Sequence, residues 1–289
     1  MNQPLVCALG AIALWATLAT LGVSLGHVPP FLLTGIALLV GSVLALPAVL
    51  KNPRVWAVSP AALATGVYGL FGYHFLLFVA LQNAPPIEAN LVNYLWPLLI
   101  VVLAPVFLAG VRLRPLHVVA AMLGFAGAAV AILGGSRTAT GSPAGGAVWG
   151  YLAAGGAAFV WSSYSLLTQR AERLGHQVPT AAVGLFGAVS GVLALLCHWA
   201  FEPAATLVLR DALLLAVLGL GPLGAAFFLW DRAMKQGDAR QIGILSYATP
   251  LLSTTLLVVT SGRPLSASIA LSAALILSAA VMGTRTRQA

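Results

Sequence analysis

The chain reads as an all-α membrane protein of ten transmembrane helices, arranged as two inverted five-helix repeats around a central cavity. Three observations predict this: apolar runs of bilayer-spanning length, basic residues gathered on alternate loops, and a sequence repeat between the two halves. Of 289 residues, 60% are hydrophobic and only 7% charged. A water-soluble domain carries about 25% charged residues, so this chain cannot cover a water-facing surface and lipid is its main solvent. The apolar runs are about twenty residues long, the length at which a helix crosses hydrocarbon with its own backbone bonds satisfied. Barrel strands would be about half that length and would alternate.

Taken in order, the expected spans are 4–25, 30–50, 58–82, 87–110, 115–134, 147–170, 178–200, 210–234, 240–261 and 265–284. Proline, glycine and charge punctuate them, as at Pro29-Pro30, Lys51 to Arg54, Pro85-Pro86, Arg112 to Pro115 and Gln236 to Asp238. The stretch from Pro4 to Leu25 has no basic leader region and no small-residue cleavage site, so it is expected as the first span.

Charge orients the spans. With both ends of the chain on the cytoplasmic side, the inner segments hold Lys51, Arg54, Arg112, Arg114, Arg170, Arg173, Arg232, Lys235, Arg240, Arg285 and Arg287. The outer segments hold Arg137, Arg210 and Arg263. Eleven against three in short loops is the positive-inside pattern of a bacterial inner membrane protein. An odd number of spans would break the alternation. The net charge of +8 therefore reports orientation, and the basic residues are too scattered to form a nucleic-acid surface.

The halves resemble each other. Asn93-Tyr94-Leu95-Trp96-Pro97-Leu98-Leu99 lies over Ser246-Tyr247-Ala248-Thr249-Pro250-Leu251-Leu252, and Phe75-Leu76-Leu77 over Phe228-Leu229-Trp230, at one offset of 153. Leu14 to Thr17 lies over Val160 to Ser163 at an offset of 146. The expected organisation is a first repeat over 1–137, a connecting loop over 138–146 and a second repeat over 147–289, together one transport unit. Five spans per half is an odd number, so the second half enters the membrane upside down. Inverted repeats of this kind place a solute site near mid-bilayer between them.

The candidate chemistry lies on a few helix faces. Pro97 and Pro250 fall mid-span as repeat mates; each removes a backbone hydrogen bond and frees a carbonyl, which suits a packing kink or a hinge. Asn90, Asn93, Tyr94 and Pro97 stack on one face at helical spacing, and Gly243, Ser246, Tyr247 and Pro250 are their mates. Amides and phenols in hydrocarbon need partners, so this face is expected to point inward, either binding a solute or bonding a neighbouring helix. The sixth span repeats the pattern with Trp161, Tyr164, Ser165 and Thr168. Tryptophan normally collects at the membrane interface, as expected of Trp56, Trp149 and Trp199. Trp15, Trp96 and Trp161 are instead near mid-depth, where packing or an aromatic-lined cavity accounts for them. His74 is an ionisable group inside the third span, a candidate solute contact or proton relay, against the plainer role of bonding a neighbouring helix.

Other chemistries are excluded or unsupported. No acidic residue falls at mid-membrane: Glu88 opens a helix and Asp231 sits four residues before Lys235, a pair-forming spacing. There is no P-loop, no HExxH and no Cys/His cluster, so neither nucleotide hydrolysis nor a metal or other cofactor is expected. Cys7 and Cys197 lie in apolar runs as small hydrophobes. Small-residue spacings such as Gly187 with Gly191, and Gly66, Gly69 and Gly72, suit close helix packing; a monomer or weak homodimer is expected.

Ten spans, inverted repeats and the paired prolines resemble the drug/metabolite transporter superfamily in its EamA family, over nearly the whole chain. The run Val92-Asn93-Tyr94-Leu95-Trp96-Pro97, with Ser246-Tyr247 before Pro250 and Trp161-Ser162-Ser163-Tyr164, is similar to the aromatic amino acid exporters of that family. The resemblance implies export of aromatic and other neutral amino acids through a cavity lined by Tyr94, Trp96 and Trp161, with the fourth and ninth spans flexing to alternate access. In the expected pose the solute ring packs on indoles. Its ammonium meets carbonyls freed at Pro97 or Pro250, and its carboxylate meets Asn93 or His74. A broad exporter of aromatic or quaternary cations, held by cation–π contacts, is the alternative.

Overall fold

The computed structural model describes residues 2–84, 86–135, 147–260 and 267–285. Among these the fold is all helix, with no strand. The first half folds as α1 (Gln3–Ala16), α2 (Leu18–Ser24), α3 (Pro30–Ser42), α4 (Leu46–Lys51), α5 (Pro60–Val67), α6 (Tyr73–Asn83), α7 (Pro86–Asn93), α8 (Trp96–Phe107) and α9 (Pro115–Gly135). The second folds as α10 (Ala147–Arg173), α11 (Ala182–Phe201), α12 (Leu209–Leu220), α13 (Ala226–Gln236), α14 (Ala239–Leu245), α15 (Ala248–Thr260) and α16 (Ala267–Arg285). Six helical runs among the described residues are long and apolar enough to cross a membrane: Gln3–Ser24, Pro30–Lys51, Pro60–Asn83, Ala89–Phe107, Ala182–Phe201 and Leu209–Gln236. The connection 138–146 lies outside the described residues.

Most helices are interrupted, and the interruptions recur. α7 stops at Asn93 and α8 begins at Trp96; α14 stops at Leu245 and α15 begins at Ala248. The cause is Pro97 and Pro250. Each lacks the N–H that would reach the carbonyl four residues back, on Asn93 or Ser246, and its ring crowds that carbonyl. Further up, α5 joins α6 through a π-helical turn, Tyr68–Gly72, and α12 joins α13 through another, Gly221–Ala225. These turns, and α6 and α13 after them, match residue for residue at the offset of 153 found in the sequence. Such turns are commonest at functional sites.

The packing follows the same exchange of halves. α3 lies against α11 and α9 against α16, each a pairing of segments that correspond at the sequence offset of 153; α1 lies against α13, while α6 lies against α10. Fused contacts of this kind need small residues. A Cβ on Gly69 would come within 2.2 Å of the Tyr164 ring, and one on Gly124 within 2.4 Å of the Tyr247 ring.

The two ends of the bundle are polar. At one, Asn2, Leu108, Arg173 and Asp238 surround a cavity of about 280 Å³. Asp238 caps α14, accepting from the backbone N–H of Arg240 at 2.9 Å, and pairs with the Arg240 guanidinium at 2.7 Å. Partial burial pushes the Asp238 carboxyl up. Hydrogen bonds and charge from Arg240, with the backbone N–H of Arg240 and Gln241, outweigh that and hold it below the ordinary carboxylate range. Nearby, the buried Asp231 accepts from Lys235 at 2.7 Å and from Thr180 at 2.8 Å, the pairing expected of its spacing. At the other end, Glu202 accepts from the N–H groups of Phe31 and Leu32 at the start of α3, and His27 donates to Asp211 at 3.1 Å.

Candidate functional site

A cavity of about 880 Å³ lies between the broken helices, inside the range of about 300–1,000 Å³ usual for small-molecule sites. α1, α2 and the turn after them border it from Trp15 to Val28, α3 at Pro30 and Leu33, α6 from Tyr73 to Leu81, α7 and α8 from Asn90 to Trp96, α10 at Trp161, α13 at Phe227 and α15 at Thr249 and Ser253. No residue before Trp15 reaches it, so it occupies the part of the bundle away from the N-terminus. Among the described residues, its lining holds no Asp, Glu, Lys or Arg.

The floor is aromatic. Trp15 is the hub, with ring centroids 6.3 Å from Trp96, 5.7 Å from Trp161, 5.2 Å from Trp230 and 6.1 Å from Phe227. Most contacts are edge-on or tilted, as the ring quadrupole prefers. Two indole N–H groups are already engaged: Trp15 donates to the Pro222 carbonyl at 3.1 Å and Trp230 to Ser165 Oγ at 3.0 Å. The first of these anchors α1 on the π-helical turn of the other half.

The amide and imidazole have chosen partners. Asn93 is 3% exposed and donates through Nδ2 to the Tyr73 hydroxyl at 3.2 Å, while its Oδ1 has no partner among the described residues. His74 bonds through Nδ1 to the Leu70 carbonyl at 2.6 Å. A carbonyl only accepts, so Nδ1 carries the proton and the neutral ring keeps Nε2 as an acceptor. Tyr73, Phe78 and Phe227 surround that imidazole. Thr249 lines the cavity with a buried hydroxyl that likewise has no partner among the described residues.

Six of the expected solute contacts therefore share this cavity: His74, Asn90, Asn93, Tyr94, Trp96 and Trp161. Four do not line it. Tyr164 sits behind Trp161, ring centroids 5.5 Å apart, on the bare backbone of Gly69. Ser165 donates to the Trp161 carbonyl and accepts from Trp230, so it orients two tryptophans from outside. Ser246 is fully buried and bonds back to the Ile242 carbonyl. Tyr247 is fully buried with Ala128 and Ile276. The reason for the last two is close packing of α14 on α8, where a Cβ on Gly243 would stand 3.0 Å from the Pro97 carbonyl. Pro97 and Pro250 sit just after the two helix breaks.

Sequence reasoning undervalued Phe227, Trp230 and Thr249. The repeat held the signal: at the offset of 153, Phe227 is the mate of His74 and Thr249 the mate of Trp96. His74 and Phe227 in fact meet, with ring centroids 6.2 Å apart.

Known proteins share this architecture. The chain is 45% identical over 284 residues to the aromatic amino acid exporter YddG of Ancylobacter novellus, covering 95% of this chain and 94% of the relative. It is 28% identical to the aromatic amino acid exporter YddG of Escherichia coli, covering 89% and 88%. A solved crystal structure, 42% identical, superposes with a TM-score of 0.89 over 99% of this chain and 98% of that one. The EamA-like transporter family matches twice, over residues 3–133 and 148–284. This multi-pass membrane chain belongs to the EamA-like transporter family, and it is a transporter rather than an enzyme.

Proposed function

We propose that the chain exports aromatic and other neutral amino acids across the bacterial inner membrane by alternating access. The observation that carries this is a tryptophan-floored cavity, free of charged side chains among the described residues and flanked by two proline-broken helices. An aromatic side chain buries well against edge-on and tilted indoles. The named activity of the 45%-identical relative points to the same class of solute.

In this reading the six long apolar runs are joined by α9, α10, the α14–α15 pair and α16 to make ten spans. The halves insert oppositely, both ends of the chain are cytoplasmic, and each half is one repeat. The matched π-helical turns and the exchange of packing partners support that symmetry. Bending at Pro97 and Pro250 opens one face as it closes the other. His74, Asn93, Tyr94, Trp96 and Trp161 contact the solute; Tyr164 and Ser165 brace them.

The test is counterflow of labelled phenylalanine into proteoliposomes holding the purified chain. Exchange above empty vesicles is expected, falling at least about tenfold with Trp161→Ala, as for loss of one well-packed ring contact. No exchange of phenylalanine, tyrosine or tryptophan would overturn the reading. Cysteines introduced as Ser142→Cys and Gln288→Cys should label from opposite sides of the membrane; labelling from one side removes the inversion.

A further inference from the structure

The cavity is selective about which end of a solute it can hold. Of the amino acid's three parts, the ring has the indole floor. The carboxylate has no cation to meet among the described residues of the lining, none of which is Lys or Arg. Of the two groups expected to hold it, the Asn93 amide spends one of its two N–H groups on Tyr73 and His74 spends its Nδ1–H on Leu70. The Trp15 N–H is engaged as well, and the donors left over, such as the second Asn93 N–H and the Thr249 hydroxyl, are neutral. A carboxylate would find only single neutral donors, beside aromatic faces whose negative quadrupole repels it, and burial of an unpaired charge is costly.

An ammonium group meets the opposite conditions. Neutral His74 keeps an acceptor at Nε2, and Asn93, which lines the cavity, holds a buried Oδ1 without a partner among the described residues. The Trp15, Trp96 and Trp161 rings supply faces that attract a cation.

We infer that the site recognises an aromatic ring together with a primary ammonium, leaving the carboxylate solvated at the mouth beyond Gly22 and Gly26. Aromatic primary amines that lack a carboxylate are therefore substrates of the same cavity. This rests on the export reading and extends its substrate class. The primary ammonium matters because it donates hydrogen bonds, which a quaternary nitrogen cannot.

The experiment is competition against labelled phenylalanine counterflow at neutral pH, with four probes: 2-phenylethylamine, phenylalaninamide, 3-phenylpropionate and trimethyl(2-phenylethyl)ammonium. The two primary amines are expected to inhibit within about threefold of phenylalanine itself, and 3-phenylpropionate to need at least about thirtyfold more. The quaternary analogue should be about tenfold weaker than 2-phenylethylamine, the worth of a charge-assisted hydrogen bond. Asn93→Leu should weaken 2-phenylethylamine about tenfold while leaving the quaternary analogue unmoved. The inference is overturned if 3-phenylpropionate competes as well as phenylalanine, or if the primary amines do not compete. A quaternary analogue as strong as 2-phenylethylamine overturns the assignment of Asn93 as acceptor. Should labelled phenylalanine not exchange at all, the export reading fails on its own. Binding of labelled 2-phenylethylamine to the detergent-purified chain, displaced by phenylalaninamide and not by 3-phenylpropionate, then decides this one.

Discussion

Trp15 donates its indole N–H to the carbonyl of Pro222, 207 residues away, at 3.1 Å. A π-helical turn leaves carbonyls out of the regular ladder, and here one of them is bonded by the ring that centres the aromatic floor. Trp15→Phe keeps most of the packing and removes the bond. It should cost about 1 kcal/mol, seen as a fall of about 2–4 °C in the melting temperature of the detergent-purified chain. It should also reduce export, since the ring loses its fixed orientation.

Gly69→Ala is expected to be far more harmful than Gly72→Ala, although the two glycines share one turn. A Cβ at Gly69 would meet the Tyr164 ring at 2.2 Å, whereas one at Gly72 finds its nearest neighbour, Val160, at 3.6 Å. Overpacking of the first kind costs about 1–3 kcal/mol. Melting curves of both variants, side by side with the parent, check this.

Lys235→Met leaves the Asp231 carboxylate buried without its cation. Breaking one partner of a buried pair costs about 3–5 kcal/mol, while replacing both is close to neutral. Lys235→Met should therefore lower yield and melting temperature sharply, and Asp231→Asn in the same chain should restore most of the loss. Asp231→Asn keeps the contact with Thr180, so failure of the double variant to recover would point to the Lys235 bond with the Val178 carbonyl as the larger contribution.

Asp238 carries a pH signature. Its carboxyl is held below the ordinary range, so its capping contribution is complete above the unfolded value of about 3.9 and is lost as pH falls through the lower folded value. Asp238→Ala should cost about 1 kcal/mol. The gap in melting temperature between the parent and this variant should stay constant from pH 8 to pH 5 and close only on stronger acidification. A gap that changes between pH 5 and pH 8 would assign the effect to another group.

How far the sequence could be read depended on what each feature leaves behind. Long apolar runs follow from the hydrocarbon's thickness, so spans such as Pro30–Lys51 and Ala182–Phe201 were visible in composition alone. Helical spacing grouped Asn90, Asn93 and Tyr94, and proline marked both breaks. The same logic misdirected Ser246 and Tyr247, because spacing names a face without naming its neighbour; Gly243 on the Pro97 carbonyl decides that the face meets α8. Tyr164 and Ser165 were placed on the right helix and the wrong side of Trp161. The π-helical turns had no periodic signal, since five residues are too few to show a period, and only the glycines at 69, 72, 221 and 224 hinted at them.

The recurring interruptions have a consequence for how this protein can diverge. Bends and turns are kept in both halves at one offset, whereas the walls are not: His74 answers to Phe227 and Trp96 to Thr249. Under the proposed mechanism, movement and taste are written in separate residues. On that mechanism, a new cargo requires new side chains on one wall and leaves the bends as they are. A substitution at a bend would then be felt by every cargo alike.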